Sequence, residues 1–216
     1  MTDSLDRAKK IKVILFDVDG VLTDGSIWLF PAHSGAPRSV DAHAQRHADL
    51  PGFGIISQNM IEAKGFNAHD GTAISLARLG GLKTGMVTKR ISETVALRAR
   101  DLKIDYLYQG AQNKSDILDK ILAESGFREE QIAYVGDDVI DLPIMRRCGL
   151  AIAVANARPQ VKAMAHHETA SIGGHGAARD AVEYILEAQG TLEKVIEEYI
   201  QGIRVRESGM VKNDQD

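Results

Sequence analysis

The stretch IKVILFDVDGVLTDG, residues Ile11–Gly25, decides how the rest of the chain is interpreted. Its apolar run ends at Phe16, and Asp17 and Asp19 follow, with a glycine directly after the second aspartate. Aspartate and glycine are common in turns, but a turn needs only one aspartate. Two carboxylates that repel each other at the end of a buried strand therefore indicate either a turn or a pair of functional groups.

Composition places the chain among ordinary globular proteins. It has 216 residues, of which 44% are apolar and 26% charged, enough for one large domain or two small ones. Cys148 is the single cysteine, so no internal disulfide can form, which fits a reducing compartment. The first ten residues lack the apolar segment of a signal peptide, and no apolar run is long enough to span a bilayer. We therefore expect a cytoplasmic protein without a membrane partner, and the net charge of -4 gives no reason to expect nucleic acid as a partner.

Short apolar runs alternate with helical patterns along most of the chain. This alternation predicts an α/β fold with a mainly parallel sheet, in which ligands bind at the carboxyl ends of the strands. The predicted strands are Lys12–Phe16, Gly85–Thr88, Tyr106–Tyr108, Ile132–Val135 and Leu150–Val154. The predicted helices are Thr72–Leu79, Ile91–Leu102, Lys114–Ser125, Val139–Arg147, Ala177–Ala188 and a last helix capped by Thr191.

One region interrupts this alternation. We predict that Ser26–Phe30 and Met60–Asn67 form the two strands of a projecting β-hairpin flap, joined by the long loop Pro31–Gly52. Loops of this length inside a compact domain are usually functional or disordered, and we interpret this one as a surface loop. Three histidines of the loop lie beside the expected mouth of the site, namely His33, His43 and His47.

The domain organisation follows from these patterns. Residues 1–10 are predicted to form a polar N-terminal tail. Residues 11–206 are predicted to form a single domain, in which the flap insert takes up about 26–67. The final residues, 207–216, are predicted to be a frayed tail.

Polar or charged side chains follow most of the predicted strands or open the helices after them. Because the carboxyl ends of parallel strands share one edge of a sheet, we expect these groups to lie close together. They are, in chain order, Asp17, Asp19, Thr88, Lys89, Arg90, Lys114, Asp137, Asp138 and Asp141.

Several of these residues also have a plain structural interpretation. Lys114 could be a solvated lysine, and Asp141 could be an acid in the first turn of a helix, where the helix dipole favours it. However, Asn113 is the expected N-cap before Lys114, and a cation in the first turn opposes the dipole. The position of Lys114 therefore makes sense if an anion lies at the start of this helix.

The carboxylates of Asp17, Asp19 and Asp137 form a set with oxygen donors only. Such a set suits a hard divalent cation such as Mg²⁺, which allows the carboxylates to coexist and shields an approaching phosphate from their charge. Threonine, lysine and arginine at the neighbouring strand ends supply donors and positive charge for phosphate oxygens. The sequence contains no serine–histidine arrangement, zinc spacing, GxGxxG or P-loop that would indicate another chemistry.

Four motifs in this order closely resemble the haloacid dehalogenase superfamily of phosphotransferases. They are DVDGV (Asp17–Val21), Thr88, Lys114 and GDDVID (Gly136–Asp141). We accordingly expect a Rossmann-like three-layer α/β/α sandwich with the projecting flap and no large cap domain.

The resemblance implies a role for each catalytic group. Asp17 attacks the phosphorus and becomes an aspartyl phosphate. Asp19 protonates the leaving alcohol and then activates water for hydrolysis. Thr88 and Lys114 hold the phosphoryl group during transfer.

The same resemblance implies bound Mg²⁺ as the cofactor. Its protein ligands are then Asp17, the backbone carbonyl of Asp19, and Asp137. Asp138 and Asp141 then hold these ligands in position without binding the ion themselves.

The resemblance narrows to the 3-deoxy-D-manno-octulosonate 8-phosphate phosphatases, over about residues 11–190 apart from the long insert. It is carried by DVDGVLTDG, KGFNAHDG, LYQGAQNK, YVGDDVIDLPIM and GGHGAARDAVEYILEAQG. It implies a phosphorylated 2-keto-3-deoxy sugar acid as substrate, a place in lipopolysaccharide biosynthesis, and a homotetramer in which neighbouring subunits close each active site. A nonulosonate 9-phosphate of the sialic-acid type is the alternative substrate.

The substrate-binding residues implied by the resemblance are where the chain departs from it. Arg90, His69, Asp70 and His175 fall at these positions. Where the family usually has Thr-Gly-Arg, this chain has lysine at position 89, and two other family arginines are replaced by His69 and His175. A neutral histidine cannot bind a carboxylate through the paired hydrogen bonds of an arginine. The spacing of 51 positions from Asp19 to Asp70 is also longer than the family's usual spacing.

Two interpretations from other classes remain open at this point. A signalling receiver domain also combines acids, Mg²⁺, threonine and lysine on a parallel sheet. Its adjacent acidic pair usually lies on the first strand, however, whereas here the first strand is followed by Asp-x-Asp and the adjacent pair comes late. A non-catalytic subunit that only binds a partner is the other alternative, and the intact set of motifs argues against it.

Overall fold

The computed structural model describes residues 2–31 and 60–210, and six of their strands form one parallel sheet. The order of the strands across this sheet is β5-β4-β1-β6-β7-β8. The strands are β1 (Val13–Phe16), β4 (Lys83–Val87), β5 (Tyr106–Tyr108), β6 (Ile132–Gly136), β7 (Leu150–Ala153) and β8 (His167–Glu168). The mainly parallel sheet predicted from the alternating pattern is confirmed.

Strand β1 lies in the middle of the sheet because its residues are apolar on both faces. All four are buried, and the strand pairs in parallel with β4 on one side and β6 on the other. A parallel strand covered on both faces needs such a continuous apolar run. The residue after it, Asp17, is therefore delivered to the carboxyl edge of the sheet between the ends of β4 and β6.

The helices pack in two groups that form the outer layers of the sandwich. The helices are α1 (Thr2–Ala8), α2 (Ala68–Leu79), α3 (Glu93–Leu102), α4 (Lys114–Ser125), α5 (Leu142–Met145), α6 (Pro159–Met164), α7 (Ala177–Ala188) and α8 (Leu192–Met210). In the first group, α2 packs against α7 and α8, and α1 packs against α7. In the second group, α5 packs against both α4 and α6. The Rossmann-like α/β/α architecture is confirmed. No helix within the described ranges is both long and apolar enough to cross a membrane.

The flap is a separate antiparallel pair of strands. Strand β2 (Trp28–Pro31) pairs with β3 (Met60–Ala63), which confirms that this region forms a hairpin. The second strand is shorter than the predicted Met60–Asn67, because Asn67 caps helix α2 and its side chain accepts a hydrogen bond from the backbone N–H of His69 at 2.8 Å. The histidines predicted on the connecting loop lie outside the described residues.

The ends of the described chain are more ordered than the sequence analysis expected. Residues 1–10 were predicted to be a polar tail, but Thr2–Ala8 form helix α1, and Ala8 is completely buried. The guanidinium of Arg7 donates to the carbonyl of Gly149 at 2.8 Å, and Gln189 donates to the carbonyl of Ala8 at 3.2 Å. A mostly polar sequence thus still forms a docked helix. At the other end, α8 continues to Met210, four residues into the predicted frayed tail.

Smaller differences concern short elements. The predicted helix Val139–Arg147 is a 3₁₀ turn, Val139–Asp141, followed by the single turn of helix α5. Helix α6 and strand β8 were not predicted, and both are short, with six and two residues. Elements of this length carry too little periodicity to be recognised from sequence.

Candidate active site

The predicted catalytic residues meet at the carboxyl edge of the sheet. Asp17 follows β1, Thr88 follows β4, Asp137 follows β6, and Lys114 begins helix α4. The structure therefore brings together groups that lie up to 120 positions apart in the chain. The cleft at this edge is lined by Asp17, Asp19, Thr88, Lys89, Arg90, Asp137, Asp138 and Ile140.

Asp17 is held rigidly at the bottom of the cleft. Its backbone N–H donates to the carbonyl of Val135 at 3.0 Å, which continues the ladder of the sheet. Its carboxylate accepts from the backbone N–H of Val18 at 2.7 Å and lies 2.9 Å from the ammonium of Lys114. Burial raises the pKa of Asp17 above its ordinary value, although Lys114 opposes that rise. A buried carboxylate with one face open to the cleft is a suitable nucleophile.

A tight turn, Val18–Leu22, directs the chain away from Asp17, and it requires a glycine. Gly20 has φ +98°, in the left-handed region that other residues avoid. A Cβ atom at Gly20 would also overlap the carboxylate of Asp137. The glycine therefore allows the loop after β1 and the loop after β6 to lie against each other.

Lys114 is buried, with 1% of its surface exposed. Its ammonium donates to Asp141 at 2.6 Å and to the hydroxyl of Tyr134 at 2.9 Å, in addition to its ion pair with Asp17. Burial alone would lower the pKa of Lys114, but the two carboxylates outweigh it and raise that pKa. The predicted N-cap is present, since Asn113 accepts from the backbone N–H of Ser115 at 3.1 Å. Lys114 is thus a fixed cation at the helix start and not a solvated one.

Asp141 supports the site and has no free hydrogen-bonding capacity. One oxygen accepts from the backbone N–H groups of Asp137 at 3.0 Å and Asp138 at 3.2 Å. The other accepts from Lys114 and from the hydroxyl of Tyr134, at 2.7 Å for the latter. These hydrogen bonds fix the loop after β6. Asp138 likewise caps a short turn by accepting from the backbone N–H of Val139 at 2.7 Å.

Tyr134 was missed by the sequence analysis, although it contacts two predicted residues. It lies within strand β6 and is completely buried. A signal was available, because a tyrosine in the middle of a buried strand usually has a partner for its hydroxyl. That partner could not be identified without the structure.

A divalent cation fits the acidic end of the cleft. Carboxylate oxygens of Asp17, Asp137 and Asp141 lie within 4.8 Å of one another. One oxygen of Asp137 is buried without a hydrogen-bond partner, and burial, followed by the neighbouring acids, raises the pKa of Asp137 to about 8. A buried oxygen that has no hydrogen-bond partner and lies among like charges is suited to bind a metal ion. Because Asp141 is already saturated, Asp17 and Asp137 are the carboxylates that could hold the ion.

The carboxylate of Asp19 points to a different set of partners. It forms an ion pair with Lys64, and its second oxygen lies 3.9 Å from Nε of Arg90. Glu62 forms an ion pair with Arg90 and lies 3.5 Å from Lys64. Burial opposes the charge on Glu62, but Arg90 and Lys64 outweigh it and hold the pKa of Glu62 below its ordinary value. Strand β3 and the residue after it therefore contribute charged side chains to the site.

Glu62 and Lys64 were not singled out by the sequence analysis. Both belong to the segment MIEAKGFN, which was interpreted only as a strand of the flap. Residues two apart on a strand project to the same face, so their pairing was predictable from the pattern. Their approach to Asp19 was not, because nothing local specifies how the flap lies over the sheet.

Thr88 and Arg90 also line the cleft. Thr88 is 1% exposed, and its hydroxyl oxygen accepts from the backbone N–H of Arg90 at 3.2 Å. This arrangement leaves the hydroxyl proton to be donated to a phosphate oxygen. Lys89, which stands where the resembled family has glycine, also lines the cleft.

Three predicted substrate-binding residues do not line the cleft in this single chain. Asp70 is 2% exposed and accepts from the backbone N–H groups of Gly176 at 3.3 Å and Arg179 at 3.0 Å, so it caps helix α7. His69 is exposed at the start of α2. His175 is exposed as well, with Nδ1 3.0 Å from the carbonyl of Gly173. For Asp70 the prediction is corrected, because its carboxylate joins α2 to α7 inside the protein.

Gly173 and Gly174, the two residues before His175, pack against the turn Val18–Leu22 that follows Asp17. The backbone N–H of Gly174 donates to the carbonyl of Val21 at 2.8 Å, and the N–H of Gly173 donates to Asn156 at 2.9 Å. A Cβ atom at Gly173 would overlap the carbonyl of Gly20. Two backbone segments from opposite ends of the chain can thus pack without intervening side chains.

This fold and site define a haloacid dehalogenase-like hydrolase, and comparison with known families confirms that class. A family model described as haloacid dehalogenase-like hydrolase matches residues 88–179, a range that includes Thr88, Lys114 and Asp137. The acid-lined cleft at the carboxyl edge thus lies partly inside the matched range.

Individual relatives are more specific. The chain is 33% identical to the 3-deoxy-D-manno-octulosonate 8-phosphate phosphatase KdsC of Escherichia coli, over 89% of this chain and 88% of that protein. It is 30% identical to the corresponding phosphatase of Moraxella catarrhalis, solved in complex with a magnesium ion, a phosphate ion and a KDO molecule, with a TM-score of 0.75 over 92% of this chain and 99% of that one. The phosphatase of Yersinia pestis gives 34% identity and a TM-score of 0.74, over 88% and 89% of the two chains. The chain therefore belongs to the 3-deoxy-D-manno-octulosonate 8-phosphate phosphatase family, which decides against a receiver domain and a non-catalytic subunit.

Proposed function

We propose that this protein is a Mg²⁺-dependent phosphatase that hydrolyses 3-deoxy-D-manno-octulosonate 8-phosphate to the free sugar acid and phosphate. The observation that carries the proposal is the position of Asp17, buried at the carboxyl edge between the ammonium of Lys114 and the unpartnered oxygen of Asp137. This arrangement supplies a nucleophile, a phosphate-binding cation and a metal ligand within one cleft. The names of the relatives with which the chain shares about a third of its residues supply the substrate.

In the first half of the reaction, a carboxylate oxygen of Asp17 attacks the phosphorus, and the bond from phosphorus to the sugar oxygen breaks. Asp19 gives a proton to that leaving oxygen, so that the sugar acid departs as an alcohol. The ammonium of Lys114 and the hydroxyl of Thr88 hold the phosphoryl oxygens while charge moves onto them. When bound, Mg²⁺ neutralises the negative charge between the carboxylates and the phosphoryl group.

In the second half, water hydrolyses the aspartyl phosphate on Asp17. Asp19, now a carboxylate, takes a proton from the attacking water. The bond between phosphorus and the carboxylate oxygen breaks, phosphate leaves, and Asp17 is restored. The same two aspartates thus serve both half-reactions: Asp17 carries the phosphoryl group, and Asp19 acts first as acid and then as base.

We infer Asp17, Asp137 and the backbone carbonyl of Asp19 as the protein ligands of Mg²⁺. One oxygen of Asp137 has no hydrogen-bond partner, and the Asp17 carboxylate accepts from the backbone N–H of Val18 beside its ion pair with Lys114, so both side chains retain acceptor capacity. The Asp19 carboxylate is engaged by Lys64, which fits a contribution through its backbone oxygen instead.

The first test of this function is the variant Asp17→Asn. Because an amide cannot form the acyl phosphate, we expect phosphate release to fall by at least about 10³-fold. The matched control is Asp24→Asn, an exposed aspartate on the same loop whose carboxylate accepts from the backbone N–H and the hydroxyl of Ser26, and its activity is expected to stay within about twofold of the wild type. Full turnover by the Asp17→Asn protein would contradict the mechanism.

Removal of Mg²⁺ with a chelator is expected to abolish activity, and added Mg²⁺ is expected to restore it.

The second test concerns the substrate. A release assay would compare octulosonate 8-phosphate, a nonulosonate 9-phosphate and simple hexose phosphates. The replacement of two family arginines by His69 and His175 is the observation that keeps the nonulosonate ester as second candidate. We expect both sugar-acid esters to be preferred over hexose phosphates, and a wide preference for a hexose phosphate would overturn the substrate assignment.

We further propose that the protein works as a cytoplasmic homotetramer. The single cysteine, Cys148, is a buried free thiol, as suits a reducing compartment. The flap exposes apolar side chains, and contact with a neighbouring subunit would bury them. In such an assembly His69 and His175, which lie outside the cleft of their own chain, are available to a neighbour's active site.

A further inference from the structure

We propose that Lys64 is a positioning residue for Asp19, so that the flap of each subunit completes the acid–base half of its own active site. The inference rests on the phosphatase reaction proposed above. It goes beyond that reaction because neither half-reaction as described requires Lys64 or Glu62.

The burial of Lys64 is the first observation. Its side chain is 0% exposed, although lysine is almost never fully buried unless it is paired. Its ammonium forms an ion pair with one oxygen of Asp19, and Glu62 lies 3.5 Å away. Among the residues that the structure describes, these two carboxylates offset the cost of removing this charge from water.

The second observation is that the two oxygens of Asp19 face different cations. Oδ1 pairs with Lys64, and Oδ2 lies 3.9 Å from Nε of Arg90. Nε of Arg90 is buried without a hydrogen-bond partner. Opposed cations on the two oxygens fix the rotation of the Asp19 carboxylate, which a single partner would not do.

Glu62 holds this arrangement together. It pairs with Arg90 and lies beside Lys64, so two acids and two bases form a closed cluster. The strand pattern explains how the flap delivers it: Ile61 is 49% exposed, whereas the side chain of Glu62 is 11% exposed and that of Lys64 is 0% exposed. The alternation places the charged residues on the face toward the sheet and the apolar residue on the outer face.

An acid–base group must be held close to the productive geometry, because a small misplacement lowers the rate strongly. Lys64 would supply this hold without contacting the phosphorus or the leaving oxygen. Its loss should therefore slow the step in which Asp19 protonates the leaving alcohol, and should affect substrate binding much less.

The test compares two substrates that differ in their need for that proton. The leaving sugar alkoxide of octulosonate 8-phosphate requires protonation, whereas p-nitrophenolate leaves readily as the anion. The ratio kcat/KM reports the reaction only up to departure of the leaving group, so it excludes the later hydrolysis step. For Lys64→Met we expect kcat/KM to fall about 10²-fold on the sugar ester and less than about tenfold on p-nitrophenyl phosphate. The fall should lie in kcat, with KM nearly unchanged.

Two further variants and a control complete the experiment. Lys64→Arg retains the cation and is expected to restore most of the lost activity on the sugar ester. Glu62→Gln should cause a smaller loss with the same preference for p-nitrophenyl phosphate, and it keeps the test available if Lys64→Met does not fold. Lys83→Met removes an exposed lysine that pairs with Asp105 away from the cleft. It should leave kcat/KM unchanged for both substrates.

The results distinguish this inference from the function on which it depends. Equal losses on both substrates, no loss, or a change confined to KM would overturn the positioning role of Lys64. A wild-type protein inactive on both substrates with Mg²⁺ would instead overturn the proposed phosphatase function.

Discussion

Gly20 shows how a single residue can determine whether a metal site forms. Its positive φ and its contact with Asp137 are separate requirements, and only glycine meets both. The first concerns backbone strain, which any left-handed position imposes. The second concerns the room that the Asp137 carboxylate needs at the edge of the sheet.

The variant Gly20→Ala is therefore expected to weaken Mg²⁺ binding. Its methyl group would displace the carboxylate of Asp137, and we expect the Mg²⁺ concentration for half-maximal activity to rise about 10- to 100-fold. The measurement is a titration of phosphatase activity with Mg²⁺, supported by calorimetry on the protein alone.

Gly81→Ala is the matched control. Gly81 has φ +82°, but a Cβ atom added there would meet no heavy atom within 4 Å, so this variant carries the backbone strain, about 1–2 kcal/mol, without the overlap. Its Mg²⁺ titration should match the wild type. The same midpoint for both glycine variants would show that Asp137 is not held in place by Gly20.

At the residue scale, local motifs were enough to predict most of the residues that line the cleft. Asp17 and Asp137 come after predicted strands and Thr88 ends one, and the parallel sheet brings such positions together. Lys64 and Tyr134 were missed for a different reason. Their partners are defined by how a flap and a strand interior approach other elements, and no short stretch of sequence contains that information.

The same distinction holds for elements. Helix α4 was predicted with its observed bounds because both of its ends are specified locally, by Asn113 as N-cap and by Gly126 in the left-handed conformation as C-cap. Helix α1 was missed because its composition is polar and its contacts, such as that of Arg7 with Gly149, are distant in sequence. Strand β5 was also predicted with its observed bounds, although it is a short edge strand.

Asp105 ties that edge strand to its neighbour and makes the junction sensitive to pH. Its carboxylate accepts from Lys83 at 2.7 Å and from the backbone N–H of Thr84 at 2.9 Å. Burial would raise the pKa of Asp105, but these donors outweigh it and hold that pKa below 3.8. A carboxylate with a lowered pKa in the folded state stabilises the protein above its unfolded pKa, and that contribution is lost as the pH falls through the folded value.

The variant Asp105→Asn is expected to lower the free energy of unfolding by about 1 kcal/mol at pH 7. The difference in unfolding free energy between variant and wild type should shrink as the pH falls below about 4. The carboxylate of Asp105 in the wild type then becomes protonated and loses its charge. Urea unfolding at pH 7, 5 and 3.5 measures this. The control Asp101→Asn, an exposed aspartate on α3 whose ion pair with Arg100 is 3.8 Å long, should give little difference at any pH. A loss for Asp105→Asn that is constant with pH would contradict the ionic explanation.

At the scale of the whole molecule, the flap carries large apolar side chains that the fold of a single subunit leaves exposed. Both faces of its first strand are apolar and about half exposed, with Trp28 at 57% and Phe30 at 50% on one face and Leu29 at 45% on the other. Ile61 on the second strand adds to this surface at 49% exposed. Contiguous exposed apolar side chains usually mark a protein interface.

The variant Trp28→Glu is accordingly expected to break the proposed tetramer into smaller species, because a charge would be buried at the proposed subunit contact. Light scattering coupled to size-exclusion chromatography measures the mass. The control Leu5→Glu places a charge on helix α1, where the leucine is 43% exposed. This control should leave the mass unchanged. A Trp28→Glu protein with the wild-type mass would show that the flap is not an essential contact.

The central position of strand β1 has a consequence for synthesis of the chain. The strand is synthesised before both of its hydrogen-bond partners, β4 on one side and β6 on the other, which lie far later in the sequence. The loop after β1 is also supported by Gly173 and Gly174, which come later still in the sequence. Contacts this distant in sequence form late and slowly. During translation, Asp17 and Asp19 therefore emerge next to an apolar strand that stays unpaired until β4 and β6 have been synthesised.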